Sequence, residues 1–167
     1  IEGMSVGDSA LDYFTKDQIK NAEFKMFKND KYSTFVFYDS SYKAYDAIEI
    51  AYKKNDKKFI IASISGSITV TDKEVCLKKN NEIIENLKSF FPESQSMSDE
   101  GAHPVDATGK SRYYRTAFKI NPKAKYFEVE VSCIFYVGEI ANEYSSSAGI
   151  TIKTDAFNYW VTHEAWE

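Results

Sequence analysis

Few side chains in this chain are suited to chemistry. Its 167 residues hold two histidines, His103 and His163, and two cysteines, Cys76 and Cys133. His103-Pro104-Val105-Asp106, with Asp99 and Glu100 just upstream, offers one imidazole and three carboxylates, part of a mixed N/O metal shell. No second His stands near, and specific sites use more ligands. A polar loop turned by Pro104 is therefore favoured, and no metal is assigned. His163-Glu164 lacks the second His that a zinc-peptidase helix carries. A His near a helix end meets the helix carbonyls instead. Thr108-Gly109-Lys110-Ser111 has the tail of a phosphate loop. Position 104, where the first glycine belongs, is Pro, and no buried strand precedes it, so a nucleotide site is rejected. Arg112-Tyr113-Tyr114-Arg115 joins cations to rings, a combination that can stack on bases or sugars. On a strand, Tyr114 and Phe118 share one face and Arg115 looks to the other.

Gly7-Asp8-Ser9 resembles the motif of the GDSL hydrolases, whose nucleophilic serine follows Gly-Asp. Such a serine needs a base within hydrogen-bond reach and donors for the oxyanion. In that family the motif follows a buried strand, and an Asp-x-x-His near the C-terminus supplies the base. Here residues 1–6 make a poor strand, Asp155 and His163 have the wrong spacing, and the family's internal Gly and Asn blocks find no match. Capping of a short helix by Asp8 or Ser9 is favoured. No catalytic residue is assigned, and a hydrolase using Ser9 is kept as the alternative.

The bulk numbers narrow the classes. A net charge of −4, with Arg112 and Arg115 the only arginines, argues against a nucleic-acid reader. Aromatics at 16% suit a sheet-rich core. No run approaches the roughly 20 apolar residues that span a bilayer. The first residue is Ile1, which fits a removed leader as well as trimming, so the terminus is silent about export.

The positioning elements centre on residues 72–91, the longest stretch of helical period. Thr71 and Glu74 have capping-box spacing, with Asp72 as rival cap. Cys76, Ile83, Leu87 and Phe90 fall near one face, and Pro92 ends the helix. Upstream, Asp8 heads a short helix over SALDYF, and Thr15 with Gln18 forms a second capping box. Strands are expected at 32–38, 45–52 and 58–70, with a loop at 39–43 and a bulge or bend at Gly66. Residues 92–110 lack hydrophobic period and read as a long loop, functional or mobile. Strands follow at 112–120, 126–137 and 149–154, then a last helix capped by Asp155. Cys76 on the inner helix face and Cys133 on the inner face of YFEVEVSCIFY point to one interface. A bond between them would stabilise by about 4 kcal/mol on the chain-entropy argument, and would suit an exported protein. Two buried free thiols are the alternative.

The segments MSVGDSALDYF, IIASIS, CLKKNNEIIENL and AHPVDATGKS together resemble an uncharacterised set of small bacterial proteins. The resemblance spans most of the chain. It implies a similar fold and an exported life, and no activity.

The expectation is thus one α+β domain over residues 1–167. An antiparallel sheet of about six strands, in two meanders, packs against a central helix, with short N- and C-terminal helices. The expected role is non-enzymatic binding or interaction, in the periplasm or outside the cell, with a cytoplasmic life as the other option. The surface is residues 96–115, with His103, Asp106, Arg112, Tyr114 and Arg115 as ligand-binding candidates. No cofactor is expected, and the partner is a small ligand or a protein. A structural envelope component with a flat apolar patch is the third reading.

Overall fold

The computed structural model describes residues 1–39 and 41–167; position 40, in the expected 39–43 loop, lies outside the described residues. In chain order the elements are a 3-10 turn (Ala10–Asp12), α1 (Lys16–Ala22), β1 (Glu23–Phe24), β2 (Tyr32–Tyr38), β3 (Ala47–Lys53), β4 (Ile61–Thr69), α2 (Lys73–Phe90), β5 (Gln95–Ala102), β6 (Arg112–Lys119), β7 (Val129–Phe135), a 3-10 turn (Gly138–Asn142), β8 (Ser147–Lys153) and α3 (Asp155–His163). The strands form one sheet, ordered β1-β2-β3-β4-β8-β7-β6-β5. The antiparallel sheet with helices is as expected, but it has eight strands rather than six. The two extra strands, β1 and β5, are its edges. An edge strand need not bury a face, so it carries no apolar alternation to read. Seven of the eight residues of β5 are polar or small, and six are exposed.

The described chain divides into two compact units, residues 1–66 with 151–167, and residues 67–150. In the first, Ile48, Ile50 and Tyr52 of β3 join Phe35, Ile61, Ile64 and the helix residue Ile19 in one core cluster. Alternation puts Ala51 in a second cluster with Phe27, Phe157 and Trp160. α1 starts where its capping box is complete: Thr15 Oγ1 accepts from Gln18 N, and Gln18 Oε1 accepts from Thr15 N at 2.8 Å. Gly66 sits within β4 because the Tyr45 ring lies against it. A Cβ there would stand 2.7 Å from that ring.

In the second unit α2 is capped by Asp72, whose carboxylate accepts from Glu74 N and Val75 N, not by Thr71. Its buried residues are Cys76, Asn80 and Ile84, one per turn. Phe90, expected inward, is 78% exposed: the helix outruns the surface it packs on. Cys76 and Cys133 stand at disulfide distance, with S–S 2.04 Å and Cα–Cα 5.7 Å. They tie α2 to β7 within a cluster that includes Val70, Ala148 and Tyr114. Among the described residues, no helix is long and apolar enough to cross a membrane.

Candidate functional site

Register decides which side chains of the second unit meet. β6 pairs antiparallel with β5 and β7, so Arg115 lies opposite Asp99 on one side and Ser132 on the other. Tyr113 lies opposite Gly101 and Ile134. These positions share a parity and hence a face. The other parity, Tyr114, Thr116 and Phe118 with Cys133, Val131 and Val129, holds the disulfide, and its Tyr114 packs in the α2 cluster.

On the first face, His103, Pro104, Tyr113, Arg115, Glu130, Ser132 and Ile134 surround a recess of about 320 Å³. Arg115 is fixed across the strands. Its Nε donates to Asp99 Oδ1 at 2.8 Å and its Nη2 to Asp99 Oδ2 at 2.9 Å. This fork-to-fork pair sets orientation as well as charge. Glu130 Oε2 stands 4.0 Å from Arg115 Nη1. The guanidinium holds the Asp99 carboxyl below its ordinary range, and Asp99 in turn raises Arg115. Gly101 leaves room for the Tyr113 ring, since a Cβ would lie 2.9 Å from Tyr113 Cε1. An aromatic ring thus covers an edge glycine, a device that pins register.

The loop expected over 92–110 shrinks to residues 103–111, between β5 and β6, and is internally bonded. His103 N donates to Ser111 O at 2.8 Å. Asp106 is buried and spends its carboxylate on the turn, accepting from Thr108 N, Thr108 Oγ1 and Ser111 N at 2.7 to 2.8 Å. Hydrogen bonds from Ser111 and Thr108 hold its carboxyl well below the usual range. His103 stands edge-on to Tyr136, rings 5.0 Å apart, with Nε2 3.3 Å from Tyr136 Oη. Burial lowers its pKa, against an opposing pull from Asp106, and so favours the neutral imidazole near pH 7.

The structure therefore separates the five sequence candidates. His103 and Arg115 meet at the recess. Tyr114 is on the other face, under Lys73 Nζ at 5.3 Å. Arg112 shares that parity and reaches Glu100 at 3.5 Å. Asp106 is a strut of the loop. The sequence offers Tyr113 within the aromatic-basic motif but not among the site candidates, and gives no place to Glu130 and Ser132. The alternation that places Val129, Val131 and Cys133 inward also puts Glu130 and Ser132 on the opposite side, which was the available signal.

The remaining candidates are placed as follows. Ser9 caps the first 3-10 turn, with Oγ donating to Lys58 O at 2.7 Å and accepting from Leu11 N at 3.2 Å. Asp8 accepts from Ser5 N and from Tyr13 Oη. His163 closes α3, with Nδ1 2.8 Å from Tyr159 O and its ring stacked on Tyr159. No group of three or more His, Cys, Asp or Glu able to hold a metal is found among the described residues. No protein-family model, curated protein or solved structure matches this chain.

Proposed function

We propose that this chain is a non-catalytic binding domain that works outside the cytoplasm and takes a small polyhydroxylated or aminated ligand, such as a sugar ring, at the recess on the β6–β7 face. The observation that carries this is the Asp99–Arg115 pair, locked before any ligand arrives, beside two rings and a serine hydroxyl. Preorganised polar groups spend little ordering entropy on binding, and a concave site with a few fixed polar groups is the usual form of a small-molecule pocket. Charge selects the ligand class. Asp99 and Glu130 against Arg115, with His103 neutral, leave the recess with one net negative charge, which disfavours anions. The rings of Tyr113 and His103 suit the apolar face of a sugar. In this reading α2 covers the back of the sheet, and its disulfide to β7 keeps that strand's face rigid. A disulfide of this kind supports a life outside the reducing cytoplasm.

Titration calorimetry with neutral monosaccharides, amino sugars and small polyamines tests the proposal. Saturable binding of at least one compound, lost in Arg115→Gln and weakened in Ser132→Val, is expected. An absence of saturable binding across all three classes would end it, as would binding that both variants leave unchanged.

A further inference from the structure

A second recess, in the first unit, differs in charge. It measures about 380 Å³ and lies between α1 and the β3–β4 turn, with Lys16, Lys20, Lys54 and Lys57 on its walls and Tyr52 and Phe59 among its lining. Its two carboxylates are turned to other donors, and against four ammonium groups they leave a net charge of +2. Glu23 accepts from Tyr52 Oη. Asp56 accepts from Lys58 N at 2.9 Å and Ile60 N at 3.0 Å. Lys54 pairs with Asp30. Among the described residues, Lys16, Lys20 and Lys57 have no carboxylate within ion-pair distance. In a chain with 25 acidic against 21 basic residues, three such ammonium groups on one concavity are not explained by an excess of lysine.

The fold fixes the backbone that carries these lysines. Lys16 and Lys20 are one turn apart on the exposed side of α1, whose buried residue is Ile19. Lys16 stands in the first helical turn, where a cation opposes the helix dipole, and its Nζ lies 5.9 Å from the Phe59 ring centre. The turn is bent through two residues of positive φ, Asn55 at 67° and Phe59 at 51°. For a bulky residue that backbone region is costly and persists only when neighbours enforce it. They do so here: Ala10 N donates to Phe59 O at 2.9 Å, Ser9 Oγ donates to Lys58 O at 2.7 Å, and the Phe59 ring is buried.

We propose that this recess binds a small tetrahedral oxyanion, phosphate or sulfate, either free or as a monoester. Compact ammonium groups that swing on flexible stems suit a single oxyanion; the planar forks that read extended nucleic acid are arginines, and none lines the recess. The site is independent of the β6–β7 face and takes the anions that the other recess disfavours.

The test is an amide ¹H–¹⁵N NMR titration of the intact chain with inorganic phosphate, inorganic sulfate and phenyl phosphate, at ionic strength fixed with sodium chloride. Saturable shifts confined to residues 16–20 and 54–59 are expected. Lys16→Gln/Lys20→Gln should weaken binding by about tenfold, the order expected for losing two exposed charge partners. Lys78→Gln/Lys79→Gln on α2 should leave it unchanged. Tighter binding of phenyl phosphate would mark a monoester as the ligand, and equal affinity the free anion; both support the site. Shifts at lysines all over the surface alike, no saturable shift, or a titration that Lys16→Gln/Lys20→Gln leaves unaltered would overturn it.

Discussion

Glu49 gives the sharpest prediction about stability. It sits in β3 between Ile48 and Ile50, opposite Val36 of β2, and is mostly shielded from solvent. Among the described residues its carboxylate has no ion pair or hydrogen-bond partner. Burial raises its pKa from 4.5 to about 7. The native state therefore holds the Glu49 proton more tightly than the unfolded chain does. Its stabilising share is complete below pH 4.5 and is lost as pH rises through 7. The gap of about 2.5 units corresponds to about 3 kcal/mol across that window. His103, whose pKa is lowered by burial, acts in the opposite sense, adding stability as pH rises toward its ordinary value. In Glu49→Gln the decline disappears. Urea unfolding followed by tryptophan fluorescence should show the variant more stable than wild type by about 2 kcal/mol at pH 8, the shortfall reflecting the cost of a buried amide. At pH 5 the two should agree within about 1 kcal/mol. Wild-type stability that is flat from pH 5 to 8, or a variant weaker than wild type at pH 8, would refute the reasoning.

Three further outcomes follow from the second unit. The Cys76–Cys133 bond joins residues 57 apart, so its reduction should lower unfolding free energy by about 4 kcal/mol on the chain-entropy argument, read as a shift in the denaturant midpoint with and without reductant. Asp106→Ala strips a partner from the fully buried Ser111 amide and should lower the thermal midpoint by about 5 °C, as measured by circular dichroism. The stabilising contribution of Asp106 is present above its unfolded pKa of 3.8 and declines as pH falls below it, down to its lowered folded-state value, so the gap between variant and wild type should narrow steadily from about pH 4 to about pH 2. Gly101→Val pushes a side chain into the Tyr113 ring and should impair ligand binding at the recess by more than it lowers stability, with calorimetry and thermal melts supplying the comparison.

Most of the fold can be read from local pattern. Thr15 and Gln18 announce α1 because a capping box is a short-range device, and its two bonds need no tertiary partner. The strands β2 to β4 and β6 to β8 show in runs of β-branched and aromatic residues that have something to bury. β5 does not, since QSMSDEGA buries no apolar side chain and is a strand only through its pairing with β6. The same blindness affected the site. Arg115 stood out by residue type, but its partner Asp99 lies 16 positions away and is joined to it only by hairpin register. Tyr114 and Tyr113 are equivalent in composition, and parity alone sends one to α2 and the other to the recess. Asp106 looked like a ligand and is instead consumed by its own turn, a distinction that depends on the hydrogen bonds of the loop.

The central claim is that the β6–β7 face carries a preformed polar-ligand site, and an amide shift map locates such a site directly. With the best-binding sugar or amine added to saturation, we expect the displaced amides to cluster at residues 103, 113–115 and 130–134, with the Arg115 Nε–H signal moving and the α1 lysines silent. Displacements centred elsewhere on the chain, with those residues unmoved, would contradict it.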